Sequence, residues 1–279
     1  MKRLIIAVMM TMAISQSIAD EVKIHVPYSP GGAISVFLEI AKKHLIDNGL
    51  DADIKLMGNC VLPKQQFDAA KTKIITILYR DLNKNPDCAL TTTEDNFVGI
   101  VQMSMRYVCS LDGKTLDDFR KRGKTYIIGW NSGTDTKKFM DEISEVDGTR
   151  FNLLPYKNYG ELMIGVQAKE MDFVFTPGGI SKIRENGGEC FFGTNISGIE
   201  HPTIPNIRKY YPQHSLADMN MVDWMIAKNF TASEMDSLRG LLQKVQQTDE
   251  WKRYEKSRDI VGTAVLSVDQ QLKVVIGGR

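Results

Sequence analysis

The chain reads as an α/β protein with two sheets, each flanked by helices, in two lobes joined by crossing strands. Strand-like and helix-like segments alternate almost from end to end, which implies βαβ units with helices on both sheet faces. The run Val98–Val108 is long and mostly apolar, as expected of a segment that leaves one sheet and enters another. No low-complexity segment or long polar linker separates the halves. The division that follows is 1–19 as a leader, 20–104 with 221–279 as the first lobe and 105–220 as the second, the chain returning near Met221.

Val22, Ile24 and Val26 alternate as a strand does, and Ile34, Phe37, Leu38, Ala41 and Leu45 recur at helical spacing. Ala52, Ile54 and Leu56 alternate again, and Ile74–Tyr79 is a continuous β-rich run of the kind buried in a parallel sheet. Thr115-Leu116-Asp117-Asp118 marks a helix start with an acid at the capping-box position, and Gly123 marks its stop. Thr125–Trp130 reads as a strand and Asn131–Thr134 as a turn; the next helix carries Phe139, Met140, Ile143 and Val146 on one side. Phe151–Tyr156, then Leu162, Met163 and Val166, then Met171–Phe175 read as strand, helix and strand. Val222–Ala227 is strand-like. A capping box, Thr231-Ala232-Ser233-Glu234, then opens a helix with Met235, Leu238, Leu241, Leu242 and Val245 at helical spacing, and the tail is mostly helical.

Lys2 and Arg3 precede the apolar stretch Leu4–Ile14, and Ser17-Ile18-Ala19 fits a small-x-small cleavage site. The pattern predicts a Sec-type signal peptide cut before Asp20 and an exported, soluble, periplasmic protein; the alternative is an uncleaved anchor. Loss of residues 1–19 removes two basic residues and no acid, taking the formal charge from +1 to −1. A near-neutral chain without a basic cluster argues against a nucleic-acid partner. Cys60, Cys88, Cys109 and Cys190 form no C-x-x-C pair. In an oxidising compartment they read as two disulfides with three possible connectivities, the alternative being buried free thiols.

The segment Val26-Pro27-Tyr28-Ser29-Pro30-Gly31-Gly32 joins a strand to an amphipathic helix, so exposed amides and the helix dipole make an anion site. It has an internal echo: Leu154-Pro155-Tyr156 repeats the Pro-Tyr strand end, and Pro177-Gly178-Gly179 repeats Pro30-Gly31-Gly32. If the lobes face each other, loops 27–35, 131–136 and 156–160 line one cleft, since ligands bind beyond the carboxyl ends of strands in open α/β sheets. The plainer reading is that Pro and Gly simply punctuate strand ends.

Val26–Gly32 resembles the Val-Pro-(Phe/Tyr)-x-Pro-Gly-Gly signature of the Bug-type receptors, the extracytoplasmic solute-binding proteins of tripartite tricarboxylate transporters. Gly113–Asp118, Gly129–Thr134, Leu154–Lys157 with Gln167–Asp172, and His201–Pro205 are similar to further motifs of that family, in the family's order. The resemblance implies a two-lobed periplasmic-binding-protein fold (type II-like) that closes on a carboxylated solute in the interlobe cleft and delivers it to membrane permease subunits. It implies a monomeric receptor with no cofactor. Matched by position, the first-lobe loop is Tyr28, Ser29, Gly31, Gly32 and Ala33. The second-lobe loop is Asn131, Ser132, Gly133 and Thr134, with Tyr156, Lys157 and Asn158 nearby. Arg80 and Asp81, after the strand ending at Tyr79, also reach toward the cleft, or else are solvated loop charges.

Two departures stand out. Ser35 occupies the position where the family commonly has Asp, which disfavours recognition of an ammonium group, and Gly58–Pro63 replaces the family's Gly-rich loop. Intralobe pairing leaves the hinge free, which favours Cys60–Cys88 and Cys109–Cys190. An enzyme is the competing class, but no G-x-S-x-G occurs, and His25, His44, His201 and His214 lack metal-ligand spacing. His25 alternates with the core-facing residues of its strand and is expected to be exposed or hydrogen-bonded. A sensor protein that signals to a kinase uses the same closed state and stays open as an alternative role.

Overall fold

The computed structural model describes residues 21–28, 33–47, 51–79, 83, 85–131, 136–196, 201–218, 220–258 and 266–277. Residues 1–19, expected to be a leader, therefore lie outside the described residues, as do Ser29, Gly31, Gly32, Arg80, Asp81, Ser132, Gly133 and Thr134. In chain order the elements are β1 (Val22–Val26), α1 (Ala33–Asp47), β2 (Ala52–Leu56), α2 (Val61–Ala69), β3 (Ile74–Tyr79), β4 (Phe97–Met105) and β5 (Tyr107–Ser110). Then follow α3 (Leu116–Phe119), β6 (Thr125–Asn131), α4 (Thr136–Asp147), β7 (Arg150–Tyr156), α5 (Tyr159–Gln167), β8 (Phe173–Thr176), α6 (Ile180–Glu185) and β9 (Cys190–Gly193). The chain closes with β10 (Asn220–Lys228), α7 (Ala232–Gln247), α8 (Asp249–Arg258) and α9 (Val268–Gly277).

Two five-stranded mixed sheets result, ordered β2-β1-β3-β10-β4 and β7-β6-β8-β5-β9. The apolar run 98–108 does change sheets: β4 ends at Met105 and β5 begins at Tyr107, leaving Arg106 between them. In the first sheet β2, β1 and β3 are mutually parallel, and β10 runs antiparallel to both β3 and β4. In the second, β7, β6 and β8 are parallel and β5 is antiparallel to β8 and β9.

Helix faces follow the apolar periods. Phe37, Leu38, Ala41 and Leu45 of α1 and Leu238, Leu241, Leu242 and Val245 of α7 cover one face of the first sheet, with Ile24, Ile75 and Ile77. Trp251 of α8 is fully buried edge-on against Phe37, ring centroids 5.3 Å apart. Both expected capping boxes form, at Thr115/Asp118 and Thr231/Glu234. Burial of α4 departs from expectation: Phe139, Met140 and Ile143 are inside, but Val146 is 58% exposed. The next residue, Asp147, takes the inner position because Tyr211 Oη (2.5 Å) and the Arg120 guanidinium (3.2 Å) meet its carboxylate there. Helix α2 carries no clear apolar stripe: Pro63 and Phe67 are buried, while Val61 and Leu62 face out. The disulfides are Cys60–Cys88 and Cys109–Cys190; the second links register partners on β5 and β9.

β4 is bulged, since its register against β10 slips at Asp223/Trp224 and again at Met225/Ile226. A bulge frees backbone groups, and here two buried glutamines take them. Gln271 of α9 accepts from the Ile100 N–H at 2.7 Å, and Gln246 of α7 donates to the carbonyls of Ile100 and Val101 at 2.8 and 3.2 Å. Gln246→Met keeps the volume but orphans two buried carbonyls, so a loss of about 1–3 kcal/mol in urea unfolding is expected. An unchanged midpoint would contradict this account.

His214, 5% exposed, places Nε2 3.0 Å from the Phe139 carbonyl, and its Nδ1 accepts from the Leu216 N–H at 3.2 Å. Nε2 therefore carries the proton in a neutral ring. Burial lowers its pKa, against the raising effects of the Phe139 carbonyl and Glu142. Because the unfolded ring protonates first, stability should fall as pH drops below about 6.5, before the carboxylates titrate. Urea midpoints between pH ~7.5 and ~5.5 should show this slope, and His214→Gln should make it shallower, the buried His25 supplying a remainder of the same sign.

Candidate functional site

Strand direction marks the candidate site. β1, β3 and β4 run the same way, so Val26, Tyr79 and Met105 end toward one edge of the first sheet. β6, β7 and β8 end at Asn131, Tyr156 and Thr176, and antiparallel β5 starts at that same edge, Tyr107 opposite Thr176. Arg106, the one residue between β4 and β5, thus joins the carboxyl edges of both sheets. That is where α/β sheets place ligands. Pro177-Gly178-Gly179 lies on the second of these edges, just after β8, with Gly178 and Gly179 at φ 149° and 79°.

Arg106 is 2% exposed, and its guanidinium carbon sits 5.8 Å from the centroid of the Phe175 ring. Arginine stays protonated at any relevant pH, and its planar fork matches a carboxylate. Its backbone is fixed from both sides by Thr194, whose Oγ1 accepts from the Arg106 N–H at 2.9 Å and whose N–H donates to the Arg106 carbonyl at 2.8 Å. On the first sheet, Tyr28 lies just beyond β1 and stacks at a tilt on Tyr79, centroids 5.4 Å apart. Its hydroxyl donates to Asp223, which is fully buried on β10, and Gln102 Nε2 donates to the other carboxylate oxygen at 2.5 Å. Among the described residues the edge therefore holds a buried cation, Arg106, and a buried carboxylate, Asp223, that accepts from Tyr28 and Gln102.

The remaining expected residues fall as follows. Ala33 opens α1, and Ser35 is buried in its first turn. Asn131 ends β6 in register with Tyr156 at the end of β7. The Tyr156 hydroxyl is committed to Glu170 at 2.6 Å, and burial with that carboxylate raises its pKa. Asn158 is the N-cap of α5: its Oδ1 accepts from the Glu161 N–H at 2.9 Å. Lys157 follows β7, its backbone N–H donating to Glu161 Oε2 at 3.1 Å. Ser29, Gly31, Gly32, Arg80, Asp81, Ser132, Gly133 and Thr134 lie outside the described residues. Sequence reasoning missed Arg106, Asp223, Gln102 and Tyr79. The first had a signal, being the only charge between Phe97 and Cys109, and Asp223 likewise interrupts an apolar strand. Among the described residues no group of three or more His, Cys, Asp or Glu is placed to hold a metal, and no helix is long and apolar enough to cross a membrane.

No family profile and no curated protein matches the sequence. Solved structures do share its fold. The periplasmic binding protein BugD matches with a TM-score of 0.64 at 14% identity, over 91% of this chain and 92% of its own. A TctC solute-binding protein from Polaromonas matches at 0.61 and 12% identity, over 88% and 90%. MatC from Rhodopseudomonas palustris, solved with bound malate, matches at 0.62 and 12% identity, over 93% and 95%. The fold is that of the two-lobed periplasmic binding proteins, of the kind represented by BugD and TctC.

Tyr28→Phe removes one donor from the buried Asp223 carboxylate. A loss of about 1–3 kcal/mol is expected in urea unfolding, and none would place the Tyr28 hydroxyl elsewhere.

Proposed function

We propose that this chain is an exported solute receptor of the tripartite tricarboxylate-transporter type, which captures a small carboxylated organic anion between two lobes. The lobes are 20–104 with 221–279, built on the first sheet, and 105–220, built on the second. Closure brings the loop around Tyr28–Ala33 against the loop around Asn131–Thr134, with the solute between them. The loaded monomer then docks on membrane permease subunits. The observation that carries this reading is Arg106, a buried guanidinium where the carboxyl edges of both sheets meet. The bound malate of one structural neighbour fits the same chemistry.

In this arrangement the ligand carboxylate faces Arg106 and the amides of the two loops, and a hydroxyl on the ligand finds an acceptor in Asp223. Micromolar affinity requires about 8 kcal/mol, while hydrogen bonds to a charged group contribute roughly 1.5–3 kcal/mol each. One loop cannot reach that total against the entropy of association, so both lobes must contribute. The role is binding, with no chemical step.

A thermal-shift screen of di-, tri- and hydroxycarboxylates, followed by calorimetry, tests this. At least one carboxylate should raise the melting temperature, and Arg106→Gln should weaken its binding by about tenfold or more, whereas Arg106→Lys should weaken it less. Gly32→Asp, which sets a like charge beside the anion, should also lower affinity in a folded protein. No response to any carboxylate would sink the proposal.

A further inference from the structure

The first sheet has an open cavity on its other face, away from the edge that Arg106 and Tyr28 share, with Ala69, Ala70 and Ile74 in its wall and basic residues around it. Along β1, Val22, Ile24 and Val26 enter the core under α1 and α7, so Lys23 and His25 face the other way. There the end of α2 and the turn into β3 roof a cavity of about 450 Å³, lined by Lys23, His25, Lys55, Gln66, Lys71 and Thr72. Its volume is that of a small-molecule site. His25 was expected to be exposed or hydrogen-bonded. Instead it is 4% exposed, and neither ring nitrogen has a hydrogen-bond partner among the described residues. It is buried because α2 covers the face that simple alternation assigns to solvent. Buried polar atoms are satisfied by something in nearly every folded protein.

The charges around that ring are mostly positive. Lys23 flanks it on β1, Lys55 is its register partner on β2, and Lys71 comes from the turn. Asp53 on β2 is the counter-charge near the ring, and it is held by Lys55 at 2.8 Å. From β3, Thr76 donates to the His25 carbonyl at 2.6 Å and leaves the ring alone. Lys23 and Lys71 form no ion pair among the described residues. Burial, then Lys55, lower the His25 pKa, with Asp53 opposing and Lys23 adding to the fall. A bound anion reverses the sign of that field.

We infer that the cavity over β1 and β2 is a second anion site, distinct from the interlobe site, which takes a small doubly charged oxyanion of the phosphate or sulfate type. His25 lies beneath the floor, both ring nitrogens closed off from solvent, and feels the anion through its field, while Lys23, Lys55 and Lys71 neutralise the charge at the mouth. Anion binding favours the imidazolium, so affinity rises as pH falls.

Sulfate is the probe of choice because it stays dianionic across the range in which histidine titrates. Titration of the purified protein with sodium sulfate, with sodium chloride matched for ionic strength, is followed by the imidazole ¹⁵N–¹H resonances. The His25 ring signals should move and saturate, and Lys71→Gln and Lys23→Gln should each weaken binding about fivefold. Affinity should rise about tenfold from pH ~7.5 to pH ~5.5. Lys71 is exposed on a turn, so its variant tests the site without threatening the fold. His25 signals that stay still, that move equally in both lysine variants, or that report a pH-independent affinity would each overturn the inference.

Discussion

A strand that leaves one ladder for another must keep its peptide groups paired through the change. The chain meets this constraint at Arg106, where the donor and acceptor of one peptide residue pass to Thr194. The pairing holds the end of β4 and the start of β5 in fixed relation, at the carboxyl edges of the two sheets. A residue so anchored can carry a charged side chain inward at a defined place. Position here comes from the backbone, and chemistry from the guanidinium.

The same logic recurs where regular pairing breaks. The bulges of β4 are supported by Gln246 and Gln271, which arrive from two helices far along the chain. Gly99 lies in this bulged strand because a Cβ there would come within 2.6 Å of Leu242. Asp223 sits beside the first slip, and Tyr28 and Gln102 hold its oxygens. Polar residues in this interior are therefore placed by interrupted ladders, so a search for acids and bases in loops passes over them.

Regular elements were legible because burial imposes a period. β1, β3 and α7 announce themselves by spacing, and the capping boxes at Thr115 and Thr231 mark helix starts within a residue. Legibility fails where a long-range partner overrides the period. Asp147 displaces Val146 because Arg120 and Tyr211 wait on the inner side, and α2 is held by Pro63 and Phe67 without a stripe. β10 reads as a strand, but its central antiparallel place between β3 and β4 depends on partners distant in sequence. In the candidate site, Tyr28 and Asn158 both match motif positions; the first donates to Asp223 and the second caps α5. Arg106 and Asp223 were missed because a single charge in an apolar run has no motif around it.

The register of β10 bears on how the molecule comes to be folded. Asn220 pairs with Met105, so the strand that completes the first sheet arrives after a detour of roughly 115 residues, whose closure entropy must be met first. Until then β3 and β4 have no strand between them, and two ladder edges stand open. The second sheet uses only residues between those two points, so it can form before the first is complete. The sheet whose first strand is made first is thus the one that cannot be completed until β10 has been made, and until then the edges of β3 and β4 are open to pairing with another chain.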